Sequence, residues 1–233
     1  MKKIFKTLTM ALVAGSMLVG TTACNMSNTG KGALIGGGGG AGLGAGIGAL
    51  IGGGKGAAIG AGVGAAVGAS AGALIGNKMD KQKKELEEQL ANANVEETTD
   101  ANGLKAIKVT FEGGILFPTN GTTISASAKN ELTKFANSLK SNPDTDVYVY
   151  GFTDNTGKMA VNERISTERA KSVLTYLVNQ GVASSRVTSQ GIAMSDYVAS
   201  NETAEGRAQN RRVEIYISAN KDMIEKAENG TLN

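Results

Sequence analysis

Glycine recurs at every fourth position from Gly32 to Gly76, and this repeat constrains the chain more than any other feature. A spacing of four places small residues along one side of an α-helix, and such stripes allow two helix backbones to approach closely within a membrane. The intervening residues are Ala, Leu, Ile, Val, Ser and further Gly, with Lys55 as the single charge. The sequence therefore predicts that part of the chain lies in or on a lipid bilayer.

The glycine zone, residues 30–76, contains two uncharged stretches at 33–51 and 57–75. As a helix, each stretch would be roughly 28 Å long, close to the hydrocarbon thickness of a bilayer. The Gly-Gly-Gly-Lys-Gly sequence at 52–56 suits a turn, so we predict an antiparallel helical hairpin whose stripe could also join copies of the chain into a homo-oligomer. The alternative is a flexible low-complexity spacer, which does not account for the strict register.

The first 23 residues have the organisation of a secretory signal peptide. Three lysines form a basic start, an apolar stretch follows at 8–20, and small residues precede the only cysteine, Cys24. A lone cysteine after Thr-Thr-Ala resembles the lipobox of bacterial lipoproteins, which implies acylation of Cys24 and an anchor in membrane lipid. The alternative is a free thiol. By the same resemblance, Asn25 is compatible with the outer membrane.

The charge and composition of the chain argue against several classes of function. Removal of residues 1–23 takes away three lysines and no acid, which leaves 21 basic and 21 acidic residues. A neutral chain without a basic stripe does not favour nucleic acid as a partner. The chain has no histidine and one cysteine, so we predict no metal or cofactor site, and an enzyme is not expected.

The charged run at 77–103 is predicted to be a helical linker. Residues 79–92 combine strong helix formers with Lys–Glu pairs four residues apart and few apolar residues, a pattern typical of a solvated helix. Residues 92–103 are predicted to be a loop, and residues 220–233 a polar tail. The segment between, 104–219, has the length of one globular domain.

The globular segment alternates between strand and helix patterns. Strands are predicted at 105–111, 146–151, 186–191 and 212–218, and helices at 125–140, 158–180 and, shorter, near 203–209. This order predicts an α+β sandwich with helices on one face of a mixed sheet.

Three motifs follow one another in this segment: GFTDNTG at 151–157, NERISTERA at 162–170 and TAEGRAQNRRVEI at 203–215. Together they resemble the OmpA C-terminal-like family, which includes the peptidoglycan-binding domains of outer-membrane proteins and of peptidoglycan-associated lipoproteins. The resemblance covers residues 104–219 and implies peptidoglycan as the partner. With the lipobox and glycine zone in front, the chain is similar to a glycine-zipper outer-membrane lipoprotein whose C-terminal domain lies in the periplasm.

The resemblance also implies a site for diaminopimelate, whose free end bears an ammonium and a carboxylate on one carbon. Asp154 would bind the ammonium and Arg169 the carboxylate, since a guanidinium can donate two parallel hydrogen bonds to a carboxylate. The alternative is that Asp154 and Arg169 pair with each other and tie a loop to a helix. Further candidates for polar contacts or a supporting cation are Asn120, Thr156, Asn162 and Arg212.

Two residues depart from the family pattern: Phe152 stands where the family often has His, and Pro118 where it has Asp. The loop after the first strand is therefore expected to hold its ligand differently. Ser166 is predicted to pack the helix and not to act as a nucleophile.

The predicted function is non-covalent tethering of the outer membrane to the cell wall. The acyl chains on Cys24 and the hairpin would hold one end, since one lipid chain anchors only marginally, and the C-terminal domain would bind the wall. One alternative is a glycine-zipper oligomer that perturbs the membrane or forms pores in it, while the C-terminal domain attaches the oligomer to the wall. The others are a wall hydrolase, and a force-bearing role like that of motor anchors, which carry a single hydrophobic helix unlike this zone.

Overall fold

The computed structural model describes residues 67–100, 102–118 and 121–232. The predictions for Cys24, for the glycine zone up to residue 66 and for Asn120 lie outside these residues. No helix within them is both long and apolar enough to cross a membrane. The elements in chain order are α1 (Ala69–Gln89), β1 (Asn94–Thr99), β2 (Lys105–Glu112), α2 (Gly113–Leu116), α3 (Ala126–Ser141), β3 (Thr145–Phe152), α4 (Met159–Asn179), a 3-10 turn (Ser184–Arg186), β4 (Val187–Ile192), α5 (Ala204–Asn210), β5 (Arg212–Ala219) and α6 (Lys221–Glu228).

Five strands form one mixed sheet in the order β1-β2-β5-β3-β4. The strands β3 and β4 are parallel, with Gly151 opposite Gly191, and the other neighbours are antiparallel. The last strand, β5, lies in the centre of the sheet, because it pairs with β2 on one side and β3 on the other.

Alternation along the strands gives the sheet two different faces. Val149 of β3 and Ile215 of β5 belong to one large apolar cluster with residues of α1, α3, α4 and α6. Tyr150 and Tyr216 belong to a smaller cluster in which no described helix takes part. These helices therefore cover one face of the sheet, and the predicted α+β sandwich with helices on one face of a mixed sheet is confirmed.

The prediction of a solvated linker is wrong, because one side of α1 is buried in the core. The helix packs against β1, β2, α3 and α6. Its buried residues are spaced four, four, three and four apart, which forms a single stripe along a helix. The lysines and glutamates between them give the run its charged composition and conceal the stripe. The buried residues are Ala71, Ile75, Met79, Gln82 and Leu86.

The same helix extends back into the glycine zone. Ala71 and Ile75, which the hairpin prediction assigns to the second membrane helix, lie in the core of the domain. A Cβ on Gly72 would lie 4.0 Å from Cδ2 of Leu104, so this glycine also faces the domain. The folded domain therefore begins within the predicted hairpin, and the predicted boundary at residue 76 is wrong.

The predicted loop at 92–103 contains the edge strand β1. Its sequence, Asn-Val-Glu-Glu-Thr-Thr, has one large apolar residue, so its pattern does not indicate a strand. Antiparallel pairing with β2 holds it along its whole length. Ion pairs reinforce the pairing, from Glu96 to Lys108 at 2.6 Å and from Glu97 to Lys105 at 3.3 Å.

The predicted polar tail contains a packed helix, α6. The side chain of Asn220 caps this helix by accepting a hydrogen bond from the Met223 N–H at 2.9 Å. Met223, Ile224 and Ala227 are buried, and α6 packs against α1. The first and last described helices are therefore neighbours and share the core.

Candidate ligand-binding site

The candidate site lies where β3 ends and α4 passes over the sheet. A Cβ on Gly151 would lie 2.3 Å from the Ser166 carbonyl oxygen, and a Cβ on Gly191 would lie 2.4 Å from the Thr167 nitrogen. Only glycine permits the helix backbone to approach the strands so closely. Ser166 is fully buried and donates to the Glu163 carbonyl oxygen at 3.1 Å, as expected for a packing residue. This contact brings the N-terminal half of α4 beside the loop after β3.

Asp154 lies in this loop with its carboxylate almost fully buried. The Oδ1 atom accepts hydrogen bonds from the N–H of Thr156, at 2.9 Å, and from the Thr156 hydroxyl. The Oδ2 atom accepts from Nη1 of Arg211 at 2.6 Å. Burial by itself would raise the pKa of Asp154, but these hydrogen bonds and the Arg211 charge outweigh it, and the pKa lies below its ordinary value. The carboxylate is therefore ionised at neutral pH.

Arg169 is a buried cation on α4. Its Nε donates to the Gly121 carbonyl oxygen at 3.0 Å, and its guanidinium carbon lies 5.2 Å from the centre of the Phe117 ring. Burial and the nearby charge of Arg211 lower the pKa of Arg169, whereas Asp154 acts in the opposite direction. Within the described residues, Arg169 forms no ion pair with a carboxylate. The alternative in which Asp154 and Arg169 pair with each other is thus wrong, because Asp154 pairs with Arg211.

Asp154 and Arg169 nevertheless line the same pocket, which has a volume of about 520 Å³. Asp154 and Arg211 enter it from the sheet side, and Arg164 and Arg169 from α4. Arg164 is largely exposed and pairs with Glu168 at 3.0 Å. The remaining lining residues are Thr153, Thr156, Gly157, Val161, Asn162 and Ile165.

Thr156 and Asn162 shape the mouth of this pocket. Asn162 is buried, and its Nδ2 donates to the carbonyl oxygens of Thr156 at 2.8 Å and Lys158 at 3.2 Å. Between them Gly157 has a φ of +87°, a conformation that strongly favours glycine. The two predicted residues therefore hold the loop that carries Asp154, and both line the pocket.

Arg212, the predicted supporting cation, does not line the pocket. It lies on the opposite face of the sheet, buried, with its guanidinium carbon 3.8 Å above the centre of the Phe152 ring. Its Nε donates to Glu214 at 2.7 Å and its Nη2 to the Asp196 carbonyl oxygen at 2.9 Å. Because neighbouring residues of an extended chain point in opposite directions, only one arginine of the pair can reach the pocket, and that residue is Arg211.

The two departures from the family pattern also lie outside the pocket lining. Phe152 is buried beneath Arg212 on the far face of the sheet. Pro118 lines a neighbouring depression with Phe117, beside the Arg169 side chain. The loop after α2 therefore reaches the site through Phe117 and Gly121, which contact Arg169.

Two cations of the pocket, Arg164 and Arg211, are not among the residues predicted from the sequence, and only Arg211 pairs with Asp154. The Arg211 carbonyl oxygen accepts a hydrogen bond from Gly113 N–H at 2.6 Å, and a Cβ on Gly113 would lie 2.2 Å from that oxygen. The start of α2 therefore fixes the backbone of Arg211, and its side chain reaches across to Asp154. The pocket as a whole offers one ionised carboxylate and one buried guanidinium that has no described carboxylate partner.

Two family models match separate parts of the chain. Residues 116–211 match the OmpA family, and residues 1–80 match the YMGG-like Gly-zipper. The first match contains the whole pocket lining, and the second extends into α1.

Individual proteins are similar to part of this chain. The Escherichia coli (strain K12) protein named Probable lipoprotein YiaD is 40% identical over 60% of this chain and 63% of its own length. The peptidoglycan-binding protein ArfA of Mycobacterium bovis is 41% identical over 48% of this chain and 35% of its own. A MotB-like protein from Desulfovibrio vulgaris superposes with a TM-score of 0.55 at 20% identity, over 64% of this chain and 98% of its own. The fold, the three motifs and the family models agree: residues 116–211 match the OmpA family, and the N-terminal segment, residues 1–80, matches the YMGG-like Gly-zipper.

Proposed function

We propose that the domain binds the stem peptide of peptidoglycan non-covalently and so tethers the outer membrane to the cell wall. The observation that carries this proposal is the shared pocket of Asp154 and Arg169, in which the buried guanidinium of Arg169 has no carboxylate partner among the described residues. A buried charge without a counter-ion is costly, so a ligand that supplies an anion at this point is favoured.

Diaminopimelate matches the two charged groups of the pocket. The carboxylate at its free end would accept two hydrogen bonds from Arg169, and the ammonium on the same carbon would donate to Asp154. Asp154 retains acceptor capacity for this role, since an ionised carboxylate has about four lone-pair positions and three donors approach it here.

Arg211 is the charged partner of Asp154. Its guanidinium neutralises the carboxylate, and with 41% of its side chain exposed it can shift when the ligand ammonium arrives. We therefore assign to Arg211 the role of holding Asp154 ionised and oriented, while Arg169 remains available to the ligand.

The comparisons support a partner in the cell wall. One relative is named a peptidoglycan-binding protein and another a lipoprotein, which agrees with a wall ligand and a lipid anchor. This chain spans 63% of the first and about a third of the second. Envelope localisation, acylation of Cys24 and a periplasmic domain complete the proposal.

Substitution of the two charged residues tests the proposal directly. With the full-length protein in detergent, we expect Arg169→Lys and Asp154→Ala each to abolish retention on isolated sacculi, with affinity reduced about 30-fold or more. Asp154→Ala leaves the ligand ammonium buried without its charged partner. Lysine keeps the charge of Arg169 but cannot bind a carboxylate through two parallel hydrogen bonds. Co-sedimentation with sacculi that contain diaminopimelate measures the effect.

Lys171→Ala is the matched control, because Lys171 is an exposed cation on the same helix and does not line the pocket. It should bind as the unmodified protein does. All five tyrosines lie in the described domain, so tyrosine fluorescence during urea unfolding reports whether each variant remains cooperatively folded. Unchanged retention of a folded Arg169→Lys protein would reject this site.

A further inference from the structure

Hydrogen bonds to one surface loop hold the residues on both sides of Asp154. The Thr153 hydroxyl oxygen accepts from the Met194 N–H at 3.0 Å, and the Asn155 N–H donates to Oδ1 of Asn201 at 3.3 Å. We call the segment 194–201 the clasp loop. It forms hydrogen bonds with the residues immediately before and after Asp154.

The clasp loop is itself held by a fully buried residue, Asn210. The Oδ1 atom of Asn210 accepts from the N–H groups of Val198 and Ala199 at 2.8 and 3.0 Å. Its Nδ2 donates to the Ala199 carbonyl oxygen and to Oδ1 of Asn201, both at 2.9 Å. The same Asn201 oxygen therefore receives donors from the buried Asn210 and from the loop that carries Asp154.

Two residues of the clasp loop have an unfavourable backbone conformation that contacts with neighbouring residues stabilise. Met194 and Asp196 have φ values of 50° and 51°, which lie in the left-handed region that residues other than glycine rarely adopt. The Asp196 carbonyl oxygen accepts from Arg212, and a Cβ on Gly206 would lie 2.0 Å from the Ser200 carbonyl oxygen, so the loop is fixed by contacts on two further sides. Such conformations persist where neighbouring contacts determine them, and they concentrate near functional sites.

No residue of the clasp loop lines the described part of the pocket. We propose that the clasp loop positions Asp154 for its ligand, with Asn201 as the positioning residue and Asn210 as the residue that fixes Asn201. The proposal rests on the proposed function, since it concerns how the same pocket is preorganised. It also gives Arg212 a function in the site, because Arg212 binds the clasp loop from the far face of the sheet.

The test uses three variants of the full-length protein in detergent. Asn201→Ala removes the shared acceptor, Asn201→Asp retains an oxygen at that position, and Ser195→Ala is the control. Ser195 lies on the same loop, but its hydroxyl donates to Asp196 and not to the Asp154 segment. Hydrogen exchange measured by mass spectrometry on the peptide covering residues 153–157 reports the order of the Asp154 loop without any ligand. Affinity for a diaminopimelate-containing muropeptide reports binding.

We expect Asn201→Ala to accelerate hydrogen exchange at 153–157 and to leave hydrogen exchange in β3 and β5 unchanged. It should also weaken muropeptide binding about 3- to 10-fold, which is the effect of one lost hydrogen bond. Asn201→Asp should restore both properties and Ser195→Ala should alter neither. Exchange in Asn201→Ala equal to that of the unmodified protein, or accelerated throughout the domain, would overturn the proposal. If the unmodified protein fails to bind the muropeptide, the proposed function fails, whereas local acceleration at 153–157 would still establish that Asn201 orders Asp154.

Discussion

Three donors hold the carboxylate of Asp154 before any ligand is present. Thr156 supplies an N–H and a hydroxyl, and Arg211 supplies a charged N–H. These donors stabilise the ionised form in the folded protein, and they also fix the direction of the carboxylate. A ligand ammonium therefore meets an acceptor that needs little reorganisation, which favours affinity.

The pH dependence of stability should reveal these donors. We expect Asp154→Asn to lower the free energy of unfolding by about 1 to 3 kcal/mol at pH 7, because Arg211 and Thr156 lose a charged acceptor. The pKa of Asp154 is lower in the folded protein than the value of about 3.9 in an unfolded chain. Its contribution is therefore complete above about pH 4 and disappears as the pH falls through the folded pKa. Urea unfolding of both proteins between pH 7 and pH 2.5 measures the difference.

Glu168→Gln provides a control for the loss of one carboxylate, since the ion pair of Glu168 with Arg164 is exposed and should contribute less than about 1 kcal/mol. A difference between Asp154→Asn and the unmodified protein that stays constant down to pH 2.5 would show that the three donors do not stabilise the charged form.

Sequence motifs predict part of the site. The candidates Asp154, Arg169, Thr156 and Asn162 all line the pocket. The second arginine of the site is Arg211 and not Arg212, because residues 211 and 212 have the same side chain and their sequence does not indicate which one faces the pocket. Asn201 lies outside the three motifs, and Asn210 lies within the third, but the sequence indicates the role of neither, since both act through contacts between segments that the chain order does not reveal.

The helices and strands differ in how clearly their local sequence indicates them. The boundaries of β2, β3, β4, β5, α3, α4 and α5 agree with the predicted ones to within one residue. An apolar helical period marks α3 and α4, and β-branched and aromatic residues mark the strands. The strand β1 is held by its pairing with β2, which the local sequence does not indicate. The buried residues of α1 lie among lysines and glutamates, so the local composition does not indicate that the helix is buried.

Gln82 is the one polar residue in the buried stripe of α1. It is 1% exposed, and neither atom of its amide has a hydrogen-bond partner among the described residues. An unpaired amide in an apolar environment opposes docking of the helix. The attachment of α1 to the domain is therefore weaker than its apolar residues alone would make it.

Replacement of this amide should stabilise the domain. We expect Gln82→Met, which has nearly the same shape, to raise the free energy of unfolding by about 1 to 3 kcal/mol. Gln89→Met is the control, since Gln89 is partly exposed and its amide donates to Glu85 on the same helix, so its effect should stay within about 0.5 kcal/mol. Urea unfolding followed by tyrosine fluorescence compares them, and a destabilised Gln82→Met protein would show that the amide has a partner.

The helices α1 and α6 bring the two ends of the described chain together. These helices lie outside the segment that matches the OmpA family, yet both contribute to the main core. The end of the glycine zone is part of the same helix as the charged run, so no free segment separates Ala69 from the core of the domain. The folded unit is therefore larger than the family match.

Two adjacent residues locate the start of this unit. Ile75 is fully buried in the domain, whereas its neighbour Leu74 is 37% exposed. We expect Ile75→Ala to lower the free energy of unfolding by about 2 to 5 kcal/mol, because it leaves a cavity in the core. Leu74→Ala should change it by less than about 0.5 kcal/mol. Equal effects of the two variants on urea unfolding in detergent would place this turn of α1 outside the core.

The continuity of α1 also has a mechanical consequence if the protein links wall and bilayer. A slack tether adjusts its length when two attached layers move apart, but a helix buried from Ala71 onward cannot lengthen without leaving the domain. Tension along this helix would act in shear on all its buried residues at once. The pocket therefore stays at a fixed distance from the final glycines of the repeat, Gly72 and Gly76.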